Sequence, residues 1–295
     1  MAGLLNINKP AGMTSRRVVD LVARAARTKR TGHAGTLDPL ASGVLVVCVE
    51  WATRLVPFIQ DRRKSYSAKF LLGRQSDTDD VSGRVVEVTG AVAPTRDAVE
   101  SALRAFVGEI MQVPPQFSAV HVGGVRAHHA ARRGETVDIE PRPVVVHRIE
   151  LRDYAYPELA IDIECGSGTY VRSIGRDLGN ALGCGAVMSA LVRTAIGEFT
   201  LDTAISLADL ESGQIVDHLL PPLTAVAHLP RRTCDPTECT ALIHGKTIPA
   251  DQEIGEAGSD IALVDGSGNL FALAKFDAGL RALQPRQVFG GGNRF

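Results

Sequence analysis

The segment that most constrains the fold is a continuous apolar run, GVLVVCV, at Gly43–Val49. Its short length and flanking turn residues predict a buried strand. The carboxylate Asp38 stands just before this strand and is followed directly by Pro39. Because proline disfavours the helical conformation at the preceding residue, we expect Asp38 in an extended or turn conformation at the edge of the strand. Asp-Pro is a common turn dipeptide, so the local sequence leaves a structural and a catalytic role open.

The hydrophobic periodicity of the whole chain predicts a mixed α+β protein. Helices are expected where apolar residues recur at helical spacing, at 14–28, 95–107 and 168–183. Further strands are expected at 66–73, 143–151 and 158–165. Trp51–Ile59 is expected to form a short helix that ends at Pro57 or soon after. An acidic stretch and a group of prolines predict a boundary that separates a domain at 1–228 from a small, mostly β domain at 229–295.

Composition is that of an ordinary globular protein, with 45% hydrophobic and 22% charged residues among 295. The net charge is −1, yet the basic residues concentrate between Arg16 and Arg30. Such a distribution is typical of a solvated helix face and also of a nucleic-acid-binding surface. The five cysteines never occur in C-x-x-C spacing, which favours buried reduced thiols over disulfides or zinc ligands. The first residues lack the features of a signal peptide, so we expect a cytoplasmic protein.

Motifs for nucleotide, metal and serine-hydrolase chemistry are missing from the sequence. It contains no G-x-x-x-x-G-K-[ST] loop, no H-E-x-x-H pair and no G-x-S-x-G elbow. We therefore expect a chemistry that needs no cofactor and no metal, centred on a carboxylate if the protein is an enzyme.

Several stretches, taken in order, resemble the TruB family of bacterial tRNA pseudouridine-55 synthases. They are GLLNINKPAGMTS, GHAGTLDPLASGVL, KSYSAKFLLGRQSDTDDVSGRV, VPPQFSAVHVGGVRAHHAARRG, CGSGTYVRSIGRDLG and LVRTAIGEF. Together they cover most of residues 3–200, and their common order makes the set specific. The tail beyond Arg231 resembles, with a weaker signature, the PUA domain of RNA-modifying enzymes.

This resemblance implies a fold and a reaction. The implied fold is α+β: a pseudouridine-synthase catalytic domain with a mixed, mainly antiparallel sheet flanked by helices, an RNA-gripping insertion at about 115–148 and a PUA-like C-terminal domain. The implied reaction is isomerisation of a uridine in the T-arm stem-loop of tRNA, in which C5 of the uracil replaces N1 as the atom bonded to the ribose. The implied partner is therefore tRNA. We expect a monomer without an obligate protein partner and without membrane association.

The resemblance also implies roles for pocket residues. Asp38 matches the catalytic carboxylate of the family, Arg172 the arginine that pairs with it, and Tyr66 the tyrosine that packs on the target base. Tyr170 resembles a second pocket tyrosine, and Leu191 resembles the leucine that closes an apolar wall. A dry pocket suits this reaction because it protects a cleaved glycosidic intermediate from water. By pattern alone, Tyr66 is equally a core strand residue and Arg172 an exposed helix residue.

Contacts to the RNA outside the pocket are implied as well. The expected substrate-binding residues are His33, Lys9, Arg126, Arg132 and Arg133. The target nucleotide must be flipped out at a cost of roughly a few kcal/mol, and phosphate contacts from the basic residues offset that cost. His33 is expected to contact displaced nucleotides, and Lys9 is either structural or a phosphate contact.

Two other functions remain open at this point. A glycoside hydrolase usually needs two carboxylates that flank the scissile bond, and the matched pocket motifs offer no second acid beside Asp38. An RNA-binding or tRNA-folding protein without essential catalysis is also compatible with the basic segments.

Overall fold

The computed structural model describes residues 2–290 except 119, 123–124, 128–130, 132, 135–136, 212–214 and 251–253, and only the backbone at 121–122 and 125–126. The strands, in chain order, are β1 (Gly3–Lys9), β2 (Thr31–His33), β3 (Ser42–Val49), β4 (Lys64–Leu72), β5 (Arg74–Gln75), β6 (Val86–Glu87), β7 (Gly108–Gln112), β8 (His121–Val122), β9 (Val125–Arg126), β10 (Arg142–Ala155), β11 (Glu158–Cys165), β12 (Ala186–Ile196), β13 (Phe199–Thr200), β14 (Arg231–Thr233), β15 (Ile248–Pro249), β16 (Asp260–Val264), β17 (Leu270–Asp277) and β18 (Ala282–Val288). The helices are α1 (Ser15–Ala25), α2 (Val56–Gln60), α3 (Arg96–Arg104), α4 (Val171–Ala181), α5 (Leu207–Glu211) and α6 (Pro236–Ile243).

Nine of these strands form the main sheet. Its order is β1-β3-β12-β4-β11-β10-β7, with β2 added to β3 and β13 added to β12. All of its pairs are antiparallel except β3 and β12, which run parallel. The sheet is therefore mixed and mainly antiparallel, and the predicted α+β class is confirmed.

The parallel contact between β3 and β12 depends on Gly43. This glycine lies opposite Arg193 and has a φ of +100°. A Cβ atom at Gly43 would stand 2.2 Å from the carbonyl oxygen of Arg193, so any side chain would force the two strands apart.

Two helices pack on the main sheet beside the Asp38 loop. Helix α4 packs so closely that a Cβ atom at Gly175 would stand 2.1 Å from the Phe70 ring of β4. Val18 and Val22 of α1 are fully buried in a cluster with Leu5 of β1 and Leu45 of β3. Thr14 caps α1 as expected, since its side chain accepts a hydrogen bond from the backbone of Arg17.

The expected short helix over Trp51–Ile59 is observed as two consecutive helical segments that end at Gln60, soon after Pro57. Residues Glu50–Leu55 form a 3-10 helix, and Pro57 stands in the first turn of α2. Proline is tolerated there because the first helical N–H groups have no partner within the helix.

Between β7 and β10 the chain leaves the sheet over residues 113–141. This segment, here called the insertion, contains the β8–β9 hairpin. Residues 142–148, which we expected in the insertion, lie in strand β10 of the main sheet.

The C-terminal residues form a five-stranded sheet of their own, in the order β14-β16-β17-β18-β15. It contacts the rest of the chain through Phe289, whose ring stacks on Trp51 at 4.6 Å between centroids.

All five cysteines are free, and only Cys239 is partly exposed, so the expectation of buried reduced thiols is confirmed for the other four. Over the described residues, no helix is long and apolar enough to cross a membrane.

Candidate active site

Asp38 lies in the loop between β2 and β3, and backbone contacts fix the loop on both sides of it. The hydroxyl of Ser15, the first residue of α1, accepts a hydrogen bond from the Leu37 N–H at 2.8 Å and donates one to the Leu37 carbonyl at 3.0 Å. The Gly12 N–H donates to the Pro39 carbonyl at 2.7 Å. Asp38 itself begins a turn, because its carbonyl accepts from the Ala41 N–H at 3.1 Å. The expected turn conformation is therefore observed.

Arg172 binds the Asp38 carboxylate in a bidentate manner. Its Nε lies 2.9 Å from Oδ2 and its Nη2 lies 3.2 Å from Oδ1. The Arg172 side chain is only 5% exposed, whereas the Asp38 side chain is 35% exposed. The pair is thus a buried cation that holds a partly exposed carboxylate, with one part of the carboxylate open to an incoming group.

The surroundings make the Asp38 carboxyl a stronger base than an ordinary aspartate. Burial raises its pKa, the Arg172 guanidinium opposes that effect, and the neighbouring Asp80 raises the pKa further. Lys9 acts in the same direction as Arg172. Burial is the largest of these effects, so the net direction is upward although the side chain is partly exposed.

Asp80 is a second carboxylate at the site, so the expectation that the matched motifs offer no second acid is wrong. Its Oδ2 lies 3.9 Å from Arg172 Nε, and its side chain is 7% exposed. Its Oδ1 accepts hydrogen bonds from the Thr78 hydroxyl and the Ser82 N–H, both at 2.8 Å. These bonds and its burial make Asp80 a partner of Arg172 and leave it poorly placed to act on a bound substrate.

Tyr66 and Leu191 lie on neighbouring central strands, β4 and β12, and belong to one hydrophobic cluster. Leu191 is 7% exposed. Burial raises the pKa of the Tyr66 hydroxyl, Arg193 opposes this, and the charge of Asp38 adds to it. Tyr66 is thus neutral at physiological pH and close enough to Asp38 to sense its charge. The structure brings Asp38, Arg172 and Tyr66 into one site from separate parts of the chain.

Arg193 is a residue that the sequence interpretation missed. It is 2% exposed, and it stands opposite Tyr66 across β12 and β4. Its Nε donates to the Val44 carbonyl at 2.7 Å and its Nη2 to the Gly35 carbonyl at 3.0 Å. Arg193 therefore ties together the two ends of the loop that carries Asp38. A signal was present, since Arg193 shares the buried face of β12 with Leu191, where a charge is unusual.

Lys9 and His33 lie beside this loop. Lys9 is fully buried, and its ammonium donates to the carbonyls of Pro10 at 2.9 Å and Met13 at 2.6 Å. Burial lowers its pKa to about 8. These contacts favour the structural alternative for Lys9. His33 is half-buried at the end of β2, and burial, with Arg193 and Arg16, lowers its pKa, so it is neutral at physiological pH.

Tyr170 is the N-cap residue of α4, two positions before Arg172. The Arg142 guanidinium lies 5.2 Å from the centroid of its ring. Tyr170 thus lies at the start of the helix that carries Arg172, with its ring against Arg142.

The expected RNA contacts are only partly within the described residues. Arg132 lies outside them, Arg126 is described by its backbone in β9, and Arg133 is exposed. The basic residues of α1 and the following turn are all exposed, namely Arg16, Arg17, Arg24, Arg27, Lys29 and Arg30. Because α1 begins at Ser15, which binds the neighbour of Asp38, this basic face starts at the edge of the site. Within the described part of the chain, no group of three or more His, Cys, Asp or Glu residues is placed to hold a metal ion.

The sequence matches two family descriptions. "TruB family pseudouridylate synthase (N terminal domain)" matches residues 23–171, and "tRNA pseudouridylate synthase B C-terminal domain" matches residues 172–226. Proteins named tRNA pseudouridine synthase B are similar over most of the chain. The one from Dehalococcoides mccartyi is 46% identical over 84% of either chain. The one from Mycobacterium bovis is 40% identical over 95% of this chain and 93% of its own.

The fold is also similar to chains of known structure. The fold is similar to a Cbf5-Nop10-Gar1 complex chain, with a TM-score of 0.76 and 27% identity over 98% of this chain and 85% of that one. It is similar to a chain of an H/ACA RNP bound to a substrate RNA containing 2'-deoxyuridine, with a TM-score of 0.75 and 26% identity over 98% of this chain and 85% of that one. With relatives above 40% identity over most of the sequence, the resemblance found in the motifs is confirmed, and the chain belongs to the TruB family of pseudouridylate synthases.

Proposed function

We propose that this protein is a tRNA pseudouridine synthase that converts uridine-55 in the T-arm of tRNA to pseudouridine, with Asp38 as the catalytic carboxylate. The observation that carries the proposal is the Asp38 carboxylate, held through both oxygens by Arg172 and left 35% exposed beside Tyr66. A carboxylate needs no activating partner to act as nucleophile or base once it is ionised and oriented. The relatives named tRNA pseudouridine synthase B support tRNA as the substrate.

The reaction balances without a cofactor. The bond between N1 of the uracil and C1′ of the ribose breaks, the base turns, and a bond between C5 and C1′ forms. The hydrogen on C5 leaves as a proton, and N1 gains a proton. Three routes use one carboxylate: attack on C1′, attack on the uracil ring, or removal of the 2′ proton to give a glycal.

Three residues around Asp38 have separate roles, and each of the three routes needs these roles. Arg172 orients Asp38 and offsets part of the burial that would otherwise neutralise it. Tyr66 supplies a neutral aromatic face for the uracil, and its hydroxyl is a candidate to accept or relay the C5 proton. Leu191 excludes water, which keeps a detached base from being lost to hydrolysis.

RNA binding is assigned to the basic surfaces. The exposed arginines of α1 begin beside the Asp38 loop, where the backbone around a flipped nucleotide would lie. We assign Arg126, Arg132 and Arg133 of the insertion to the other side of the same RNA. His33, neutral and next to the loop, is assigned to the displaced bases. The C-terminal sheet is assigned a PUA-like role in holding the tRNA body.

The test is release of tritium from tRNA labelled at C5 of its uracils. Wild-type protein is expected to release tritium into water and Asp38→Asn is expected to release none, because the amide cannot act as nucleophile or base. Asp79→Asn is a matched control. Asp79 is also a largely buried carboxylate paired with an arginine of α4, with Oδ2 3.1 Å from Arg176 Nη1. Its φ of +60° is a conformation that asparagine tolerates, so this variant should keep its rate within about threefold.

Three results separate the candidate functions. Tritium release that persists in Asp38→Asn refutes the assignment of the carboxylate. Free uracil in the products indicates glycoside hydrolysis, and tight tRNA binding without release by the wild type indicates an RNA-binding protein.

A further inference from the structure

The two residues that flank the insertion, Gln112 and Arg142, both contact Tyr170. Gln112, the last residue of β7, and Arg142, the first residue of β10, are paired across the sheet. The insertion runs between them. Tyr170 comes just before α4, so the two residues that close the insertion meet the start of the helix that carries Arg172.

The side chain of Gln112 forms hydrogen bonds with both backbone polar groups of Tyr170. Its side-chain amide donates to the Tyr170 carbonyl at 3.1 Å, and its side-chain oxygen accepts from the Tyr170 N–H at 2.8 Å. The residue is 1% exposed, so these bonds are shielded from water. The side chain of Tyr170 does not cap α4, and Gln112 accepts the N–H of this first residue, which has no partner within the helix. Arg142 adds a hydrogen bond to the Gly168 carbonyl at 2.9 Å.

The insertion also contacts the next turn of α4. The Ser173 hydroxyl and Arg176 Nη2 both donate to the Val113 carbonyl, at 2.9 Å and 2.8 Å. Arg172 Nη2 donates to the Phe117 carbonyl at 3.1 Å. That same nitrogen donates to Asp38 Oδ1 at 3.2 Å. The guanidinium that orients the carboxylate is therefore shared with the insertion.

We propose that Gln112 is a positioning residue of the active site, whose amide fixes the first turn of α4 to the base of the insertion and so keeps Arg172 aligned with Asp38. Without this amide, Tyr170 is no longer fixed to the end of β7. Arg172 can then shift with the insertion and lose its alignment with the Asp38 carboxylate. Because the insertion and Asp38 share one guanidinium, any RNA held by the insertion acts on the geometry of the carboxylate through this turn. The catalytic part of the inference rests on the proposed function of Asp38.

Gln116 offers a matched control. Its amide donates to the Val137 carbonyl at 2.9 Å, and its oxygen accepts from the Val137 N–H at 3.1 Å. The chemistry is the same as at Gln112, yet both residues of this pair lie inside the insertion. Gln112→Met and Gln116→Met therefore remove the same two bonds, and only the first removes contacts to α4.

The first measurement is the pKa of Asp38, followed by carbon-13 NMR of labelled aspartate carboxyls and assigned with Asp38→Asn. Arg172 lowers the pKa of Asp38, so we expect Gln112→Met, which displaces Arg172, to raise that pKa measurably above the wild-type value. Gln116→Met is expected to leave it unchanged. This readout needs no activity, so it decides the positioning role even if the wild type releases no tritium, a result that would overturn the proposed function instead.

The second measurement is single-turnover tritium release at saturating tRNA, together with the Kd for tRNA. Gln112→Met is expected to lose at least tenfold in rate, with Kd within about twofold and part of the rate regained at higher pH. Gln116→Met is expected to keep its rate within about threefold. If Gln112→Met does not fold, Gln112→Glu serves in its place, because it keeps the acceptor for the Tyr170 N–H and loses only the donor; at least threefold loss is expected. An unchanged Asp38 pKa, or equal losses in the variants at 112 and 116, overturns the inference.

Discussion

Replacement of Arg193 by lysine tests whether one buried guanidinium holds the loop that carries Asp38. Arg193 uses different nitrogens to reach the carbonyls of Val44 at 2.7 Å and Gly35 at 3.0 Å. Lysine keeps the positive charge but concentrates its donors on a single nitrogen. At least one of these carbonyls is then left buried without its donor.

The magnitude follows from the contacts. A buried acceptor that loses its partner costs about 1–3 kcal/mol, so the loss of one to two bonds costs roughly 1–6 kcal/mol of unfolding free energy. At about 2–4 °C per kcal/mol for a chain of this size, the melting temperature should fall by roughly 2–24 °C. A displacement of Asp38 by about 1 Å costs on the order of a hundredfold in rate. We therefore expect Arg193→Lys to release tritium about 10–100 times more slowly.

The assay is scanning calorimetry combined with single-turnover tritium release and tRNA binding. Arg193 is 2% exposed, so its replacement should leave the Kd for tRNA within about twofold. Arg63→Lys is the control, because Arg63, just before β4, is 66% exposed and pairs with Glu164 of β11 at 3.1 Å. An exposed pair contributes about 0–1 kcal/mol, so this variant should melt and react like the wild type. Arg193→Lys with wild-type melting and wild-type rate would refute the reasoning.

Three further predictions concern charge. Asp80 raises the pKa of Asp38, so Asp80→Asn should move the acid limb of the single-turnover pH profile to lower pH, and a shift to higher pH contradicts this. Burial lowers the pKa of Lys9 from 10.5 to about 8, so protonated Lys9 destabilises the folded state below pH 8, and that cost disappears as the pH rises towards 10.5. The unfolding free energy of the wild type minus that of Lys9→Met should therefore increase between pH 8 and 10. A difference that stays constant over this range in denaturant titrations would contradict the prediction. The Kd for tRNA should rise steeply with salt, and Arg17→Gln should reduce the log–log slope by about one if Arg17 contacts a phosphate.

Local sequence patterns determined a large part of this protein. Apolar periodicity predicted α1, α3, α4 and the strands β3, β4, β10 and β11, but not the central strand β12, because a buried face repeats every two residues in a strand and about every 3.6 in a helix. The proline after Asp38 predicted its turn conformation for an equally local reason. The helix expected around Pro57 does end soon after it, at Gln60, but the sequence did not show that a 3-10 helix precedes a short α-helix whose first turn holds this proline.

Polar contacts inside the site were decided by the tertiary structure. Asp38 and Arg172 are 134 residues apart in sequence, and no local pattern reports which carboxylate meets which guanidinium. The resemblance to the family identified that pair. It did not indicate that Asp80 would lie beside Arg172, that Arg193 would bind the backbone of the Asp38 loop, or that Gln112 would bind the backbone of Tyr170. Each of these side chains acts on a backbone or charge brought close by the sheet order. Hydrophobic burial is a property of one residue and its periodicity, whereas a buried hydrogen bond is a property of two residues that only the packed fold places together.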